Sequence, residues 1–264
     1  MHDPERQDFL LTLQDGVATI TFNRPDKVNA MGVNYARGFN QALDAVEADR
    51  SVRCLILTGA GKAFNGGGDL HEIMSPDATD MEQEYELIRG YNLLAKRLYY
   101  FDIPVIAALN GPAVGGGIGI AMACDFAIAA TTARYDMFFH RLGLAAADVG
   151  VPWLLTQAVG PALANYYLFT AGSIDAQTGL RLGLFAEVVA QDALLEAAQS
   201  AARKVVAATD RSVRISKLSL RRGTAMDFAA NLEMEAYMQS YAFRSAGHKQ
   251  RIGEYRQRLS KKEK

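Results

Sequence analysis

Two glycine runs constrain this chain more than any other feature: Asn65-Gly66-Gly67-Gly68-Asp69 and Asn110-Gly111-Pro112-Ala113-Val114-Gly115-Gly116-Gly117. Each follows an apolar, strand-like stretch and precedes a helical one. A side chain at such a turn would block an approaching ligand, whereas glycine leaves bare N–H groups pointing outward. The helix start behind them adds partial positive charge. Two such turns can grip one carbonyl oxygen and stabilise the enolate formed when a neighbouring C–H loses its proton. The pattern implies a carbonyl-activating enzyme. Glycine-rich strand-to-helix turns also serve tight packing or phosphate binding, so one run alone would leave the matter even. The spacing around residues 61–68 does not give the dinucleotide fingerprint, and neither run closes on G-K-S/T, which disfavours both common nucleotide loops.

At 264 residues, half of them apolar, the chain can bury a substantial core. Lys plus Arg number 28 against 29 Asp plus Glu, so no global field recommends nucleic acid or an anionic membrane. Cys54 and Cys124 fall inside apolar segments and are expected as buried free thiols in a reducing, cytoplasmic setting. No metal site is expected. Residues 1–8 are polar and no apolar stretch of about 20 residues occurs, so neither a signal peptide nor a membrane span is expected. The lysine-rich end, residues 261–264, is expected to be solvated.

Asp15-Gly16 between residues 9–13 and 17–22 predicts a hairpin. Tyr35, Phe39, Leu43 and Val46 recur at helical spacing within 33–49. Strands are predicted at 52–57, 103–109 and 126–130, and helices at 81–100 and 118–124. The alternation argues for an α/β core with buried, largely parallel strands. Beyond Tyr135 helices are predicted at 151–159, 161–170, 175–181, 192–208 and 226–245. Leu232, Tyr237, Met238 and Tyr241 give the last of these an apolar face that calls for a partner, the core or another subunit.

Five motifs in order resemble the crotonase superfamily, the enoyl-CoA hydratase/isomerase family, over nearly the whole chain. They are Asn23-Arg24-Pro25-Asp26-Lys27-Val28-Asn29-Ala30-Met31, Thr58-Gly59 with residues 62–70, residues 104–117, Ala123-Cys124-Asp125, and Val159-Gly160 with Leu168-Phe169-Thr170-Ala171-Gly172. The resemblance implies a spiral core of repeated β-β-α units over residues 1–195. It also implies a helical trimerisation region over 196–264, in a homotrimer or dimer of trimers. Its substrates would be acyl-CoA thioesters, with CoA entering as part of the substrate and no separate cofactor.

Carried over by position, the resemblance makes Gly66 and Gly116 the two oxyanion N–H donors. Lys27, Asn29, Ala30 and Met31, with Gly67, Gly68, Asp69 and Leu70, match the stretches that hold CoA, mostly through backbone. Tyr255 matches an aromatic residue that lies over CoA from a neighbouring subunit. Relatives that hydrate use two glutamates, and the matching positions here are Gly119 and Phe139. Without that pair a classical hydratase is disfavoured. Asp148 matches the acidic residue with which double-bond isomerases shuttle a proton, although the segment from Gly143 carries one extra residue. A lone aspartate in an apolar pocket suits that cycle, since burial raises its pKa. As a plain reading Asp148 would instead be a helix N-cap.

His140 could orient that carboxylate, but a backbone-bonded or solvent-facing histidine is the simpler expectation. Met137, Phe138, Phe139 and Trp153 are residue types more often found in a core than in a pocket, yet their clustering around Asp148 suggests a pocket for a large apolar or ring-shaped acyl group. Asp69 and Asp125 are expected as turn and loop acceptors, and His71-Glu72 as exposed. The leading expectation is an enoyl-CoA isomerase. A hydratase-like lyase, or a dehalogenase or C–C hydrolase using the same aspartate, is the alternative. A non-catalytic acyl-CoA or RNA scaffold, resting on the basic stretches 211–222 and 249–264, is the minor one.

Overall fold

The computed structural model describes residues 7–73 and 80–262. The first six residues and the last two of the lysine-rich tail lie outside them. A hairpin opens the chain, β1 (Phe9–Gln14) against β2 (Val17–Phe22), turning on Asp15 and Gly16, both at positive φ. After α1 (Tyr35–Ala48) come β3 (Cys54–Gly59), α2 (Leu70–Ile73) and α3 (Met81–Tyr99). Then follow β4 (Val105–Leu109), β5 (Ala113–Val114) and α4 (Gly116–Ala123), and next β6 (Phe126–Ala130), β7 (Arg134–Asp136) and α5 (Val151–Phe169). Short strands β8 (Ser173–Asp175) and β9 (Glu187–Val189) flank α6 (Ala176–Arg181). Four helices close the chain: α7 (Leu194–Ala207), α8 (Asp210–Gly223), α9 (Phe228–Phe243) and α10 (Ala246–Lys262).

The main sheet runs β1-β2-β3-β4-β6-β9 and is parallel from β2 onward, while β5, β7 and β8 form a second, three-stranded sheet. Strand–strand–helix units recur as β1-β2-α1, β4-β5-α4 and β6-β7-α5. Side chains alternate between the two faces of the main sheet, as a period of two requires. Ile20, Leu55, Leu57, Ala107 and Leu109 join the cluster that holds α1, α3 and α4. Val17, Cys54, Ile56, Ile106 and Ile128 face Leu194, Ala198 and Ala202 of α7. Both cysteines are buried and free.

Several expectations shift. The helices predicted at 151–159 and 161–170 form one element, bent where Gly160 leaves helical geometry (φ 78°, ψ 165°) before Pro161. The boundary drawn at 195/196 falls in the first turn of α7, which packs under the sheet with the preceding strands. Helices standing clear of the sheet therefore begin at α8. Residues 211–222, read only as a basic stretch, lie within α8. That helix is lashed to the core through Lys217, which is buried and donates to the Ile103 carbonyl (2.8 Å) and to Asp125 (2.7 Å). Among the described residues no helix is long and apolar enough to cross a membrane.

Candidate active site

The two glycine runs lie side by side. The Phe64 N–H donates to the Pro112 carbonyl (3.0 Å) and the Val114 N–H to the Asn65 carbonyl (2.9 Å). A Cβ on Gly67 would stand 2.7 Å from the Val114 carbonyl oxygen, and its φ of +80° is itself unsuited to a side chain. Glycine is therefore required here by the mutual approach of two backbones. The first run is also bridged to Met31. The Met31 N–H donates to the Gly67 carbonyl (2.7 Å), and the Asp69 N–H returns to the Met31 carbonyl (2.9 Å).

This register decides which N–H groups are free, and it corrects the expectation for Gly66. The Gly66 N–H donates to the Val28 carbonyl at 2.8 Å, and the Gly67 N–H to Asn65 Oδ1 at 2.9 Å. Since successive N–H groups of an extended segment point to opposite sides, Gly68 turns its own away from Met31. It has no partner among the described residues. The Gly116 N–H, in the first turn of α4, is likewise without an intrahelical partner, as helix starts are.

Residues 27–31 and 66–70 are thus brought together, but most of their side chains are engaged internally. Asn29 donates to the Ala60 (2.9 Å) and Ala63 (2.8 Å) carbonyls and accepts from the Arg24 N–H (2.8 Å). Lys27 pairs with Asp69 (3.1 Å) and Glu72 (2.8 Å), and Arg24 with the same two carboxylates (3.1 and 2.6 Å). Glu72, exposed as expected, is part of a four-charge cluster. Burial pushes the Asp69 carboxyl up, yet Lys27 and Arg24 outweigh it and leave it below its ordinary range. Ala30 is buried, Leu70 is exposed at the start of α2, and Tyr255 is exposed on α10.

Met31 is buried to 1 % exposure, and its side chain reaches the second glycine turn. A Cβ on Gly116 would meet Met31 Cε at 2.7 Å, Val149 Cγ2 at 2.8 Å and Asp148 Oδ2 at 2.9 Å. Asp148 thus points inward at the second glycine turn. It does not cap α5, whose N-cap is Gly150 with no side-chain bond. Its Oδ1 is sealed from solvent without a hydrogen-bond partner. Burial raises its pKa from 3.8 to about 6, only partly offset by the Val149 N–H.

In this loop Val149 (φ 46°) and Gly150 (φ 74°) turn in succession through the left-handed region. Val149 fills the space over Gly119. A Cβ there would land on the Val149 carbonyl oxygen and stand 2.8 Å from its Cβ and Cγ1. Two residues that the sequence did not single out hold this loop: Val149 itself and Asn92 of α3, whose Oδ1 accepts the Val149 N–H at 3.0 Å.

The aromatic residues expected around Asp148 separate. Phe139 is buried and packs 3.6 Å from where a Gly115 Cβ would lie, and Met137 is in the core. Phe138 is exposed under Arg141. Trp153, 51 % exposed, stacks edge-on to Tyr99 and lines a 410 Å³ cavity with Met122, Cys124, Asp125 and Arg221, at the opposite end of α4 from Gly116. As the third residue of α5, Trp153 points to the cavity at the far end of α4 rather than to the Gly116 turn. His140 is exposed, its Nδ1 bonded to the Leu144 carbonyl (3.1 Å) rather than directed at a carboxylate. Among the described residues no His, Cys, Asp and Glu cluster could hold a metal.

Residues 12–262 match the family model described as enoyl-CoA hydratase/isomerase. A 1,2-epoxyphenylacetyl-CoA isomerase of Escherichia coli K12 is 31% identical over 250 residues, 94% of this chain and 95% of its own. A short-chain-enoyl-CoA hydratase of Clostridium acetobutylicum is 35% identical over 233 residues, 88% of each chain. The crystal structure of an enoyl-CoA hydratase from Bacillus anthracis superposes with a TM-score of 0.90 at 27% identity, covering 96% of this chain and 97% of that one.

Proposed function

Because the chain belongs to the enoyl-CoA hydratase/isomerase family and has the crotonase-type fold, we propose that it moves a C=C double bond of an enoyl-CoA thioester, with Asp148 as the single base. The observation that carries this reading is the meeting of Asp148 Oδ2 with the Gly116 turn, in a setting that holds its pKa near 6. In the proposed cycle the thioester oxygen accepts from the Gly68 and Gly116 N–H groups. Asp148 takes a proton from the carbon between the carbonyl and the double bond, and the electron pair enters a dienolate. The protonated carboxyl then returns that proton two carbons further along, so nothing is added or lost. A carboxyl poised near 6 can both accept and release a proton near neutrality. The proton transfer draws on CoA only as part of the substrate.

Hydration would need a second carboxylate across the substrate. Gly119 cannot carry one while Val149 stands where its Cβ would be, which favours isomerisation over hydration. One relative above is named for an isomerisation and the other for a hydration, so the names alone leave that choice open. The exposed Phe228, Leu232, Tyr237 and Tyr241 of α9 support a homotrimer or a dimer of trimers, in which Tyr255 would cover CoA across the interface. A cytoplasmic setting goes with the two free buried thiols.

A panel of 3-enoyl- and 2-enoyl-CoA thioesters, followed by ultraviolet absorbance and by product mass in deuterated water, tests the reading. Wild type should interconvert the isomers, and Asp148→Asn should lose about 10²–10⁴-fold in rate. Addition of water, halide loss or ring cleavage would move the assignment to a lyase or to nucleophilic chemistry. Binding without turnover would point to a scaffold.

A further inference from the structure

We propose that Asn92 is a positioning residue for Asp148: its side-chain carbonyl grips the Val149 N–H and so aims the preceding carboxylate at the Gly116 turn. Asn92 lies in the middle of α3, on an exposed face, where asparagine adds little to a helix. Its carbonyl reaches instead to a loop 57 residues away and accepts at 3.0 Å.

The recipient is under strain. Val149 is buried with φ at 46°, a conformation that β-branched residues avoid. Such a residue persists only when its surroundings over-determine it. Two contacts do so from opposite sides. Asn92 takes the N–H, and the hollow at Gly119 receives the carbonyl and Cβ. Removing either leaves the loop free to relax to an ordinary turn.

Asp148 inherits that geometry. Its Oδ1 has no hydrogen-bond partner, and the polar group that acts on its carboxylate is the same Val149 N–H that Asn92 orients. Around it stand Met31 and Val149, which are apolar, and Gly116. The ionisable neighbour that feels its charge is Tyr91, the residue before Asn92, whose hydroxyl donates to the Met31 (3.2 Å) and Gly32 (2.9 Å) carbonyls. With no side-chain bond to steer it, the carboxylate is aimed by backbone, and Asn92 fixes that backbone from the solvent side.

The proposal rests on Asp148 as base only for its kinetic arm. Full-length protein carrying ¹³C-carboxyl aspartate is titrated by NMR, with the Asp148 resonance assigned from its loss in Asp148→Asn. The wild-type midpoint should lie near 6. In Asn92→Ala it should fall by at least about one pH unit, as the carboxylate turns to water. With the isomerase substrate, kcat should drop about 100-fold while KM changes little. Asn92→Asp keeps an acceptor for the Val149 N–H and should hold the midpoint at or above the wild-type value. Asn92→Gln keeps the amide but overreaches, and should repeat the alanine result if that variant fails to fold.

An unmoved midpoint with unchanged kcat in the Ala or Gln variant overturns the proposal. So does an unmoved midpoint with kcat falling only in step with thermal stability, which marks a merely structural residue. If wild type shows no isomerisation but the midpoint moves in Asn92→Ala, the positioning role stands and the reaction assignment fails. The converse, isomerisation with an unmoved midpoint, removes Asn92 and keeps the reaction.

Discussion

Across Gly116 two kinds of turn face each other. The turns at 65–69 and 110–117 reach their shape with glycine and are stitched mainly backbone to backbone, with the Asn65 side chain taking the Gly67 N–H. The loop at 144–150 reaches its shape with a valine at positive φ, held by one asparagine and by the emptiness over one glycine. The N–H groups proposed as oxyanion donors are built from glycine backbone. The carboxylate proposed as the base is carried by a strained segment, and strain is where a fold can be tuned.

The largest expected effect that sharpens this contrast is on stability. The Asp148 carboxyl is held near 6 in the fold against 3.8 ordinarily, so the native state binds its proton more tightly than the unfolded chain does. The penalty is absent below about pH 3.8, grows between there and pH 6, and is complete above. Asp148→Asn should therefore gain on wild type by on the order of 3 kcal/mol at pH 8 and by almost nothing at pH 3.5. Urea unfolding at the two pH values checks this. Equal differences at both would mean that the carboxylate is not strained by burial.

Gly119→Ala comes next. Its methyl group would displace Val149 from the inside, and kcat should fall about 100-fold with no hydratase activity gained. Retained isomerisation would show that the loop does not depend on the hollow. On the glycine side, Gly67→Ala places a Cβ 2.7 Å from the Val114 carbonyl oxygen at φ +80°, and should cost about 2 kcal/mol of stability in thermal unfolding. Smallest is His140→Ala. Its imidazole meets only the Leu144 carbonyl, so stability should move by under about 0.5 kcal/mol and kcat should stay put.

The glycine turns were legible in sequence because only glycine tolerates the approach of two backbones, and the parallel core because its strands are continuous apolar runs. Which glycine offers its N–H was not. That depends on the pairing of Met31 with Gly68, a register between segments far apart in the chain. The direction of Asp148 was equally hidden, because it follows from the positive φ of Val149, which no residue pattern announces. Asn92 gave no signal, since an exposed asparagine on a helix looks like solvated surface. Trp153, near Asp148 in sequence, lines a cavity beside the far end of α4, because the start of α5 directs it there. Helices α8 and α10 carry too few apolar residues to announce themselves, and β5, β7, β8 and β9 are two or three residues long.

The Lys217 contact bears on how this chain could be recombined with its relatives. Asp125 accepts the Val105 N–H at 2.7 Å, so one carboxylate both starts β4 and receives the ammonium of α8. A chimera that exchanges the C-terminal helices at residue 208 without keeping cations at 217 and 221, both of which pair with Asp125, would leave an uncompensated charge at the entrance of a central strand. The transferable unit is therefore the helices together with position 125, and a graft that respects only the visible gap between α7 and α8 would fail at the sheet.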